Sequence, residues 1–160
     1  MRVIWKWLRA CGIGVLLMAM ASLPALASTA TQVDFEAAKS DAIAFLDGHT
    51  EELASVADAI WSYAELGFQE FKSSDVLKRL LEKYGFKVEM GVAGMPTAMV
   101  ATWGSGEPVI GFTGEYDALP GLSQKAVPYK EPVVEGAPGH GCGHNLLGTT
   151  GAASAIALKD

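Results

Sequence analysis

The sequence has few cysteines, few basic residues and no long apolar segment. Two cysteines among 160 residues exclude a multi-disulfide scaffold. Twelve Lys and Arg against 18 Asp and Glu give a formal net charge of −6. No basic stripe is therefore available to neutralise phosphates, and we expect no nucleic-acid partner. Internal repeats, low-complexity blocks and coiled-coil heptads are also absent, which leaves one globular domain or part of a larger one.

Residues 1–27 are predicted to be a secretory signal peptide. Three basic residues precede an uncharged apolar run, and the following Ala-Leu-Ala site predicts cleavage before Ser28. The run is shorter than the ~20 apolar residues that a membrane-spanning helix needs. We therefore expect export to the periplasm or the exterior and no stable membrane span. An uncleaved N-terminal anchor is the alternative.

Removal of this leader changes the charge and the cysteine count of the remaining chain. All three leader charges are positive, so the formal net charge goes from −6 to −9. Cys11 leaves with the leader, and Cys142 becomes the only cysteine. In an oxidising compartment a lone cysteine cannot form an internal disulfide, so Cys142 is a free thiol, an intermolecular bridge or a metal ligand.

Helical periodicity followed by strand-like alternation predicts an α/β fold. Thr50 and either Ser73 or Ser74 are expected to cap the second and third helices. The third strand is nearly all apolar, as expected inside a sheet. This order indicates helices packed on a mixed sheet, with the functional site at the strand ends. The predicted elements are helices over 34–46, 50–67 and 73–85, strands over 86–90, 97–103 and 109–112, and a helix over 146–159.

The densest chemical signal is the stretch Gly-His-Gly-Cys-Gly-His-Asn at residues 139–145. Glycines separate the two imidazoles from the thiol, and their backbone freedom lets alternate side chains converge on one point. Thiolate and imidazole together suit zinc. Two alternatives are a glycine-rich turn with a buried thiol, and a nucleophilic Cys142 with His140 or His144 as its base. Both account less well for the His-x-Cys-x-His spacing.

Two acids, Glu115 and Asp117, follow the third predicted strand. Carboxylates at the end of a buried strand are costly unless they are solvated, paired or bound to a metal. Asp117 can accept a hydrogen bond from a ligand histidine, although a solvated turn is equally compatible with the sequence. We expect His49, Glu65 and Glu70 to lie at the surface.

Four stretches, taken together and in this order, resemble a known family. They are residues 61–72 (WSYAELGFQEFK), 94–97 (GMPT), 114–121 (GEYDALPG) and 139–145 (GHGCGHN). They resemble the metal-dependent amidohydrolases of the aminoacylase and glutamate-carboxypeptidase superfamily, especially the aminobenzoyl-glutamate utilisation hydrolases. The resemblance implies that residues 28–160 are the incomplete N-terminal part of a metallopeptidase-type catalytic domain.

The resemblance also implies roles for individual residues. Cys142 and His144 would be ligands to a divalent metal, Zn or Mn, with two ions in a complete enzyme. Asp117 would orient the metal site, and His140 and Glu115 would lie near it without an assigned role. The implied activity is hydrolysis of small-molecule amides, N-acyl amino acids or acyl-glutamates, by a homodimer.

Several parts of such an enzyme are not assigned to any residue of the sequence. The general-base glutamate and the remaining metal ligands are expected beyond Asp160, and the substrate-binding residues are unknown. The alternative to an active hydrolase is therefore a catalytically inactive exported fragment or a module that binds a metal or a partner.

Overall fold

The computed structural model describes residues 34–159, and the predicted signal peptide lies outside them. No helix of these described residues is long and apolar enough to cross a membrane. The helices and strands, in chain order, are α1 (Phe35–Gly48), α2 (Thr50–Tyr63), α3 (Phe71–Lys83), β1 (Lys87–Met90), β2 (Met99–Thr102) and α4 (His144–Lys159). A 3-10 turn over Val92–Gly94 separates β1 from β2.

Helices α2, α3 and α4 pack around one apolar core. Each contributes residues three or four positions apart, which lie on one face of a helix. Ile60 of α2 and Ile156 of α4 are 0% exposed. The α4 side of the core is built largely from small residues, which let that helix approach its neighbours closely. The buried core residues are Val56, Ile60, Leu77, Leu80, Leu81, Ala152 and Ile156.

Strands β1 and β2 form a two-stranded antiparallel sheet. The register pairs Lys87 with Thr102 and Met90 with Met99. Alternation along the strands turns Val88 toward the helical core and leaves its neighbours exposed. The α/β class and these two strands are confirmed, although the sheet in residues 34–159 is antiparallel and not mixed.

The third predicted strand, residues 109–112, is absent from the described part of the chain. Val109 is 86% exposed and Ile110 is 60% exposed. A strand exists only through hydrogen bonds to a neighbouring strand, and no segment within residues 34–159 pairs with this one. The prediction from its apolar run is therefore wrong for this structure.

The helix starts also differ from the predicted caps. Helix α2 follows His49, and the Thr50 hydroxyl donates backward to the carbonyls of Leu46 and Asp47. Thr50 therefore does not cap the helix. His49, which was expected at the surface, is half-buried: its ring stacks on Phe45 with ring centroids 4.1 Å apart, and Nδ1 lies 2.7 Å from the Phe45 carbonyl.

Helix α3 starts at Phe71, before either serine that was expected to cap it. Ser73 and Ser74 are both buried within its first turns. The donors at this helix start are satisfied by a more distant carboxylate, that of Glu65, which periodicity does not reveal. The residues preceding α3 are therefore more structured than the sequence suggested.

Candidate functional site

Short backbone pairings bring residues 115–117, which carry the two acids, beside the glycine-rich loop 139–145. The Ala118 amide donates to the Glu65 carbonyl over 2.7 Å, which places residue 118 parallel to Leu66. Leu119 and Gly139 exchange two hydrogen bonds of 3.0 Å each. The segment after α2, the segment after Asp117 and the start of the loop are thus held side by side. This arrangement positions Asp117 near the histidines of the loop.

Gly143 sets the direction in which the loop enters α4. Its φ of +77° lies in the left-handed region that favours glycine. The Gly143 carbonyl accepts from the amides of Leu146 and Leu147 at the start of the helix. His144 is consequently the first residue of α4, and the rigid helix fixes its backbone.

His144 lies between two carboxylates. Its Nδ1 is 2.8 Å from Asp117 Oδ1, and its Nε2 is 3.1 Å from Glu115 Oε2. The His144 side chain is only 12% exposed, whereas the Glu115 side chain is 69% exposed. The sequence suggested that Asp117 can accept a hydrogen bond from a histidine, and the structure contains that bond.

The contact with Asp117 determines which ring nitrogen of His144 carries a hydrogen. A carboxylate only accepts hydrogen bonds, so Nδ1 carries a hydrogen toward Asp117. In the neutral ring Nε2 then presents a lone pair, and it would face the Glu115 carboxylate acceptor to acceptor. A metal cation between them would remove this repulsion.

Cys142 is exposed and free. Within the described residues, no hydrogen bond joins its sulfur to either histidine of the loop. The His144 nitrogens face carboxylates, and His140 Nε2 lies 3.0 Å from the Ile60 carbonyl. A nucleophilic cysteine needs a base within hydrogen-bonding distance, so this arrangement does not support the nucleophile alternative.

His140 makes its hydrogen bond to α2. Its Nε2 donates to the Ile60 carbonyl, and its Nδ1 is buried without a hydrogen-bond partner among the described residues. Burial lowers the pKa of His140, an effect only partly offset by the hydrogen bond to Ile60. The structure therefore brings Asp117, Glu115 and His144 together, and sets His140 against the helix behind them.

Two acids that were expected at the surface, Glu65 and Glu70, have structural roles. Glu65 accepts hydrogen bonds from the amides of Lys72 and Ser73 and from the Ser73 hydroxyl, over 2.8–3.1 Å. These amides belong to the first turn of α3, where donors lack helical partners and the helix dipole favours negative charge. Glu65 thus fixes the position of α3 relative to the end of α2.

Glu70 was also expected at the surface, but it is buried and only 7% exposed. Its carboxylate accepts from the Thr97 hydroxyl over 2.6 Å, and the Tyr116 hydroxyl donates to the Thr97 carbonyl over 2.5 Å. Burial, together with the nearby Glu70 charge, raises the pKa of Tyr116 to about 12. This network supports the residue between Glu115 and Asp117. Only the resemblance of the 61–72 and 94–97 stretches to a family marked these positions in the sequence.

The donor types near His144 suit a divalent cation, but their number is small. Imidazole, carboxylate and, two residues away, thiol are the groups that bind zinc. Within residues 34–159, however, no group of three or more His, Cys, Asp or Glu side chains is arranged around one ion position. The donor chemistry of the described residues therefore suits a divalent metal, although these residues do not form a complete ligand set.

Comparison with known proteins gives several relatives, although no protein-family model matches the chain. The chain is 46% identical over 115 residues to a p-aminobenzoyl-glutamate hydrolase subunit of Escherichia coli K12, across 71% of this chain. It is 32% identical over 146 residues to the Xaa-Arg dipeptidase of Mus musculus, across 85% of this chain. Thermostable carboxypeptidase 1 of Saccharolobus solfataricus is 34% identical over 88 residues, 54% of this chain.

These matches cover only a fraction of each relative. The matched region spans 24% of the length of the Escherichia coli protein, 30% of the mouse dipeptidase and 22% of the archaeal carboxypeptidase. All three relatives are named for hydrolysis of amide or peptide bonds.

Proposed function

The chain belongs to the amidohydrolase and peptidase family of these relatives, and we propose on that premise that it forms part of the active site of a metal-dependent amide hydrolase. Residues 28–160 would be the N-terminal part of the catalytic domain. The observation that carries the proposal is the contact of His144 with Asp117 and Glu115, two residues along the chain from the Cys142 thiol.

In this proposal Cys142 and His144 bind the metal, Zn or Mn. Asp117 holds the hydrogen on His144 Nδ1, which leaves the Nε2 lone pair for a cation; a carboxylate behind a ligand histidine typically fixes its tautomer in this way. Glu115 adds negative charge on the Nε2 side. When bound, a divalent cation polarises an amide carbonyl and lowers the pKa of water. Two ions are proposed for the complete enzyme.

The substrate class follows from the relatives' names. We propose that the whole protein hydrolyses N-acyl amino acids or acyl-glutamates, such as p-aminobenzoyl-glutamate, and assembles as a homodimer. Residues 1–27 would direct export, with cleavage before Ser28. Mass spectrometry of the protein recovered from the periplasm or medium tests the export proposal, because an N-terminus at Met1 would contradict it.

Metal content and hydrolysis test the site. Zinc and manganese are measured in the chain after dialysis, together with glutamate release from p-aminobenzoyl-glutamate. Cys142→Ser and His144→Ala are expected to lose most of the bound metal. Leu146→Ala, which alters an exposed side chain of α4, is the matched control that is expected to retain the metal. Equal metal content in all variants would contradict the ligand assignment.

A catalytically inactive metal-binding module is the second candidate. It is favoured by one observation, the lack of three or more ligand side chains around one position in residues 34–159. Catalytic zinc sites use three protein ligands. Metal binding that depends on Cys142 and His144, without glutamate release, would support this candidate over the hydrolase.

A further inference from the structure

Two side chains on either side of the proposed ligands bind the same helix. His140 Nε2 lies 3.0 Å from the Ile60 carbonyl, 80 residues away in the sequence. Asn145 Nδ2 donates to the Ala57 carbonyl over 3.2 Å, 88 residues away. Cys142 and His144 lie between these two attachment points. We call the His140–Ile60 and Asn145–Ala57 hydrogen bonds the loop anchors.

The acceptors of the loop anchors lie on one face of a rigid helix. Ala57 and Ile60 are three residues apart in α2, so their carbonyls are close to one another along the same side. Both residues are in the core, with Ala57 5% exposed and Ile60 0% exposed. Helix α2 ends soon after, because Ala64 adopts a left-handed conformation. A carbonyl oxygen has two lone pairs, so the Ile60 carbonyl, which already accepts from the Ala64 amide, can also accept from a side chain.

Both loop anchors depend on a hydrogen-bond donor in the side chain, on His140 and on Asn145. A carbonyl only accepts, so His140 must carry its hydrogen on Nε2, and its buried Nδ1 is then an acceptor without a partner among the described residues. An apolar side chain would fill the same space without that desolvation cost. Asn145 is 8% exposed and uses its amide nitrogen in the same way. The hydrogen bonds to α2 therefore explain these two polar side chains better than packing does.

We infer that the loop anchors make His140 and Asn145 positioning residues, which fix the 139–145 loop on α2 and so set the relative placement of Cys142 and His144. Helix α2 thereby holds the loop that carries Cys142 and His144, although neither proposed ligand belongs to α2. The metal part of this inference rests on the proposed function, whereas the ordering of the loop does not.

Amide hydrogen exchange in the metal-free chain tests the ordering of the loop. The amides of Gly143, Leu146 and Leu147 are hydrogen-bonded in this region and report on it. His140→Ala and Asn145→Ala are each expected to raise their exchange rates at least fivefold, while protection within α3 stays unchanged. His140→Gln keeps a donor for Ile60 and is expected to restore part of the protection. Leu146→Ala alters a side chain that is 58% exposed and is the matched control.

Cobalt titration of the same variants tests the placement of the ligands. The thiolate-to-cobalt absorption band reports directly on Cys142, and the cobalt affinity is expected to fall about 10–100-fold in the Ala variants, as is typical when residues supporting metal ligands are lost. If the wild-type chain binds no cobalt but the exchange rates rise in the Ala variants, the result supports the ordering of the loop by the loop anchors and contradicts the proposed metal site.

Two results would overturn the inference. One is unchanged exchange and unchanged cobalt affinity in the His140→Ala/Asn145→Ala double variant with α3 protection intact. The other is loss of protection throughout α3 in each single variant, because the two contacts would then support the whole fold and not the loop.

Discussion

His144 Nδ1 and Asp117 Oδ1 are 2.8 Å apart, although 27 residues separate them in the sequence. The Asp117 backbone carbonyl also lies 3.1 Å from the same nitrogen. Asp117 therefore orients the imidazole through two acceptors. The orientation depends on the pairing of residues 118 and 119 with their neighbours, which connects the fold to the site.

The first prediction concerns the charge of Asp117. Asp117→Asn retains the size of the side chain but removes the carboxylate behind His144, so the affinity for zinc should fall about 10–100-fold. A competition titration with a chromophoric chelator measures this change. Asp58→Asn alters an exposed acid of α2 and should leave the affinity unchanged. Equal affinities in the two variants would show that Asp117 does not act on the metal site.

The second prediction concerns the carboxylate that binds the start of α3. Glu65→Ala removes the acceptor for two backbone amides and the Ser73 hydroxyl. The free energy of unfolding should fall by about 0.5–2 kcal/mol, the usual cost of losing a helix cap. Glu65→Gln keeps one acceptor oxygen and should cost less. Urea denaturation followed by circular dichroism gives the values.

A matched control for this prediction is Glu51→Ala, which alters an exposed acid in the first turn of α2. Its loss should change the free energy of unfolding by a few tenths of a kcal/mol, the size of an exposed helix-dipole contribution. A loss for Glu65→Ala no larger than for Glu51→Ala would show that the α3 contacts add no stability.

The third prediction concerns close backbone packing before His140. A Cβ added at Gly139 would lie 2.0 Å from the Leu122 carbonyl oxygen, which cannot move without shifting the chain. Gly139→Ala should therefore destabilise the protein by about 1–3 kcal/mol, as overpacking does. Gly111→Ala is the control, because nothing lies within 4 Å of its added Cβ. Thermal unfolding that is equal in both variants would rule out the steric conflict.

The fourth prediction concerns stability at high pH. The fold raises the pKa of Tyr116 from 10.0 to about 12, mainly by burial. The unfolded chain then loses this proton more readily, so the stabilisation is complete below pH 10 and disappears as the pH rises toward 12. Tyr116→Phe should reduce the dependence of unfolding free energy on pH in that interval. A wild-type tyrosinate absorbance titration with every tyrosine ionising near pH 10 would contradict it.

Much of the helical structure could be predicted from the sequence because apolar residues recur at helical spacing. The spacing of Leu77, Leu80 and Leu81 is enough to identify α3 and the face that it buries. Alternation likewise identifies β1 and β2. The segment 109–112 shows the limit of this reasoning, since an apolar run indicates a strand but does not supply its hydrogen-bonding partner.

The site could be predicted in part. The residues of the 139–145 loop and the acids at 115 and 117 are recognisable from their chemistry and from the family resemblance. The contacts of Glu65 and Glu70 could not be predicted, because both acids bind groups that periodicity does not connect with them. The same holds for the bond from His140 to Ile60, which joins positions 80 residues apart.

The central claim is that Cys142 and His144 bind a divalent metal. X-ray absorption at the zinc edge tests this claim most directly. The zinc-loaded chain should show one sulfur scatterer at about 2.3 Å and nitrogen or oxygen scatterers near about 2.0 Å. The sulfur shell should disappear in Cys142→Ser and persist in Leu146→Ala, which alters an exposed side chain of α4. A spectrum with only oxygen and nitrogen neighbours, or one that is identical in the wild type and Cys142→Ser, would contradict the account.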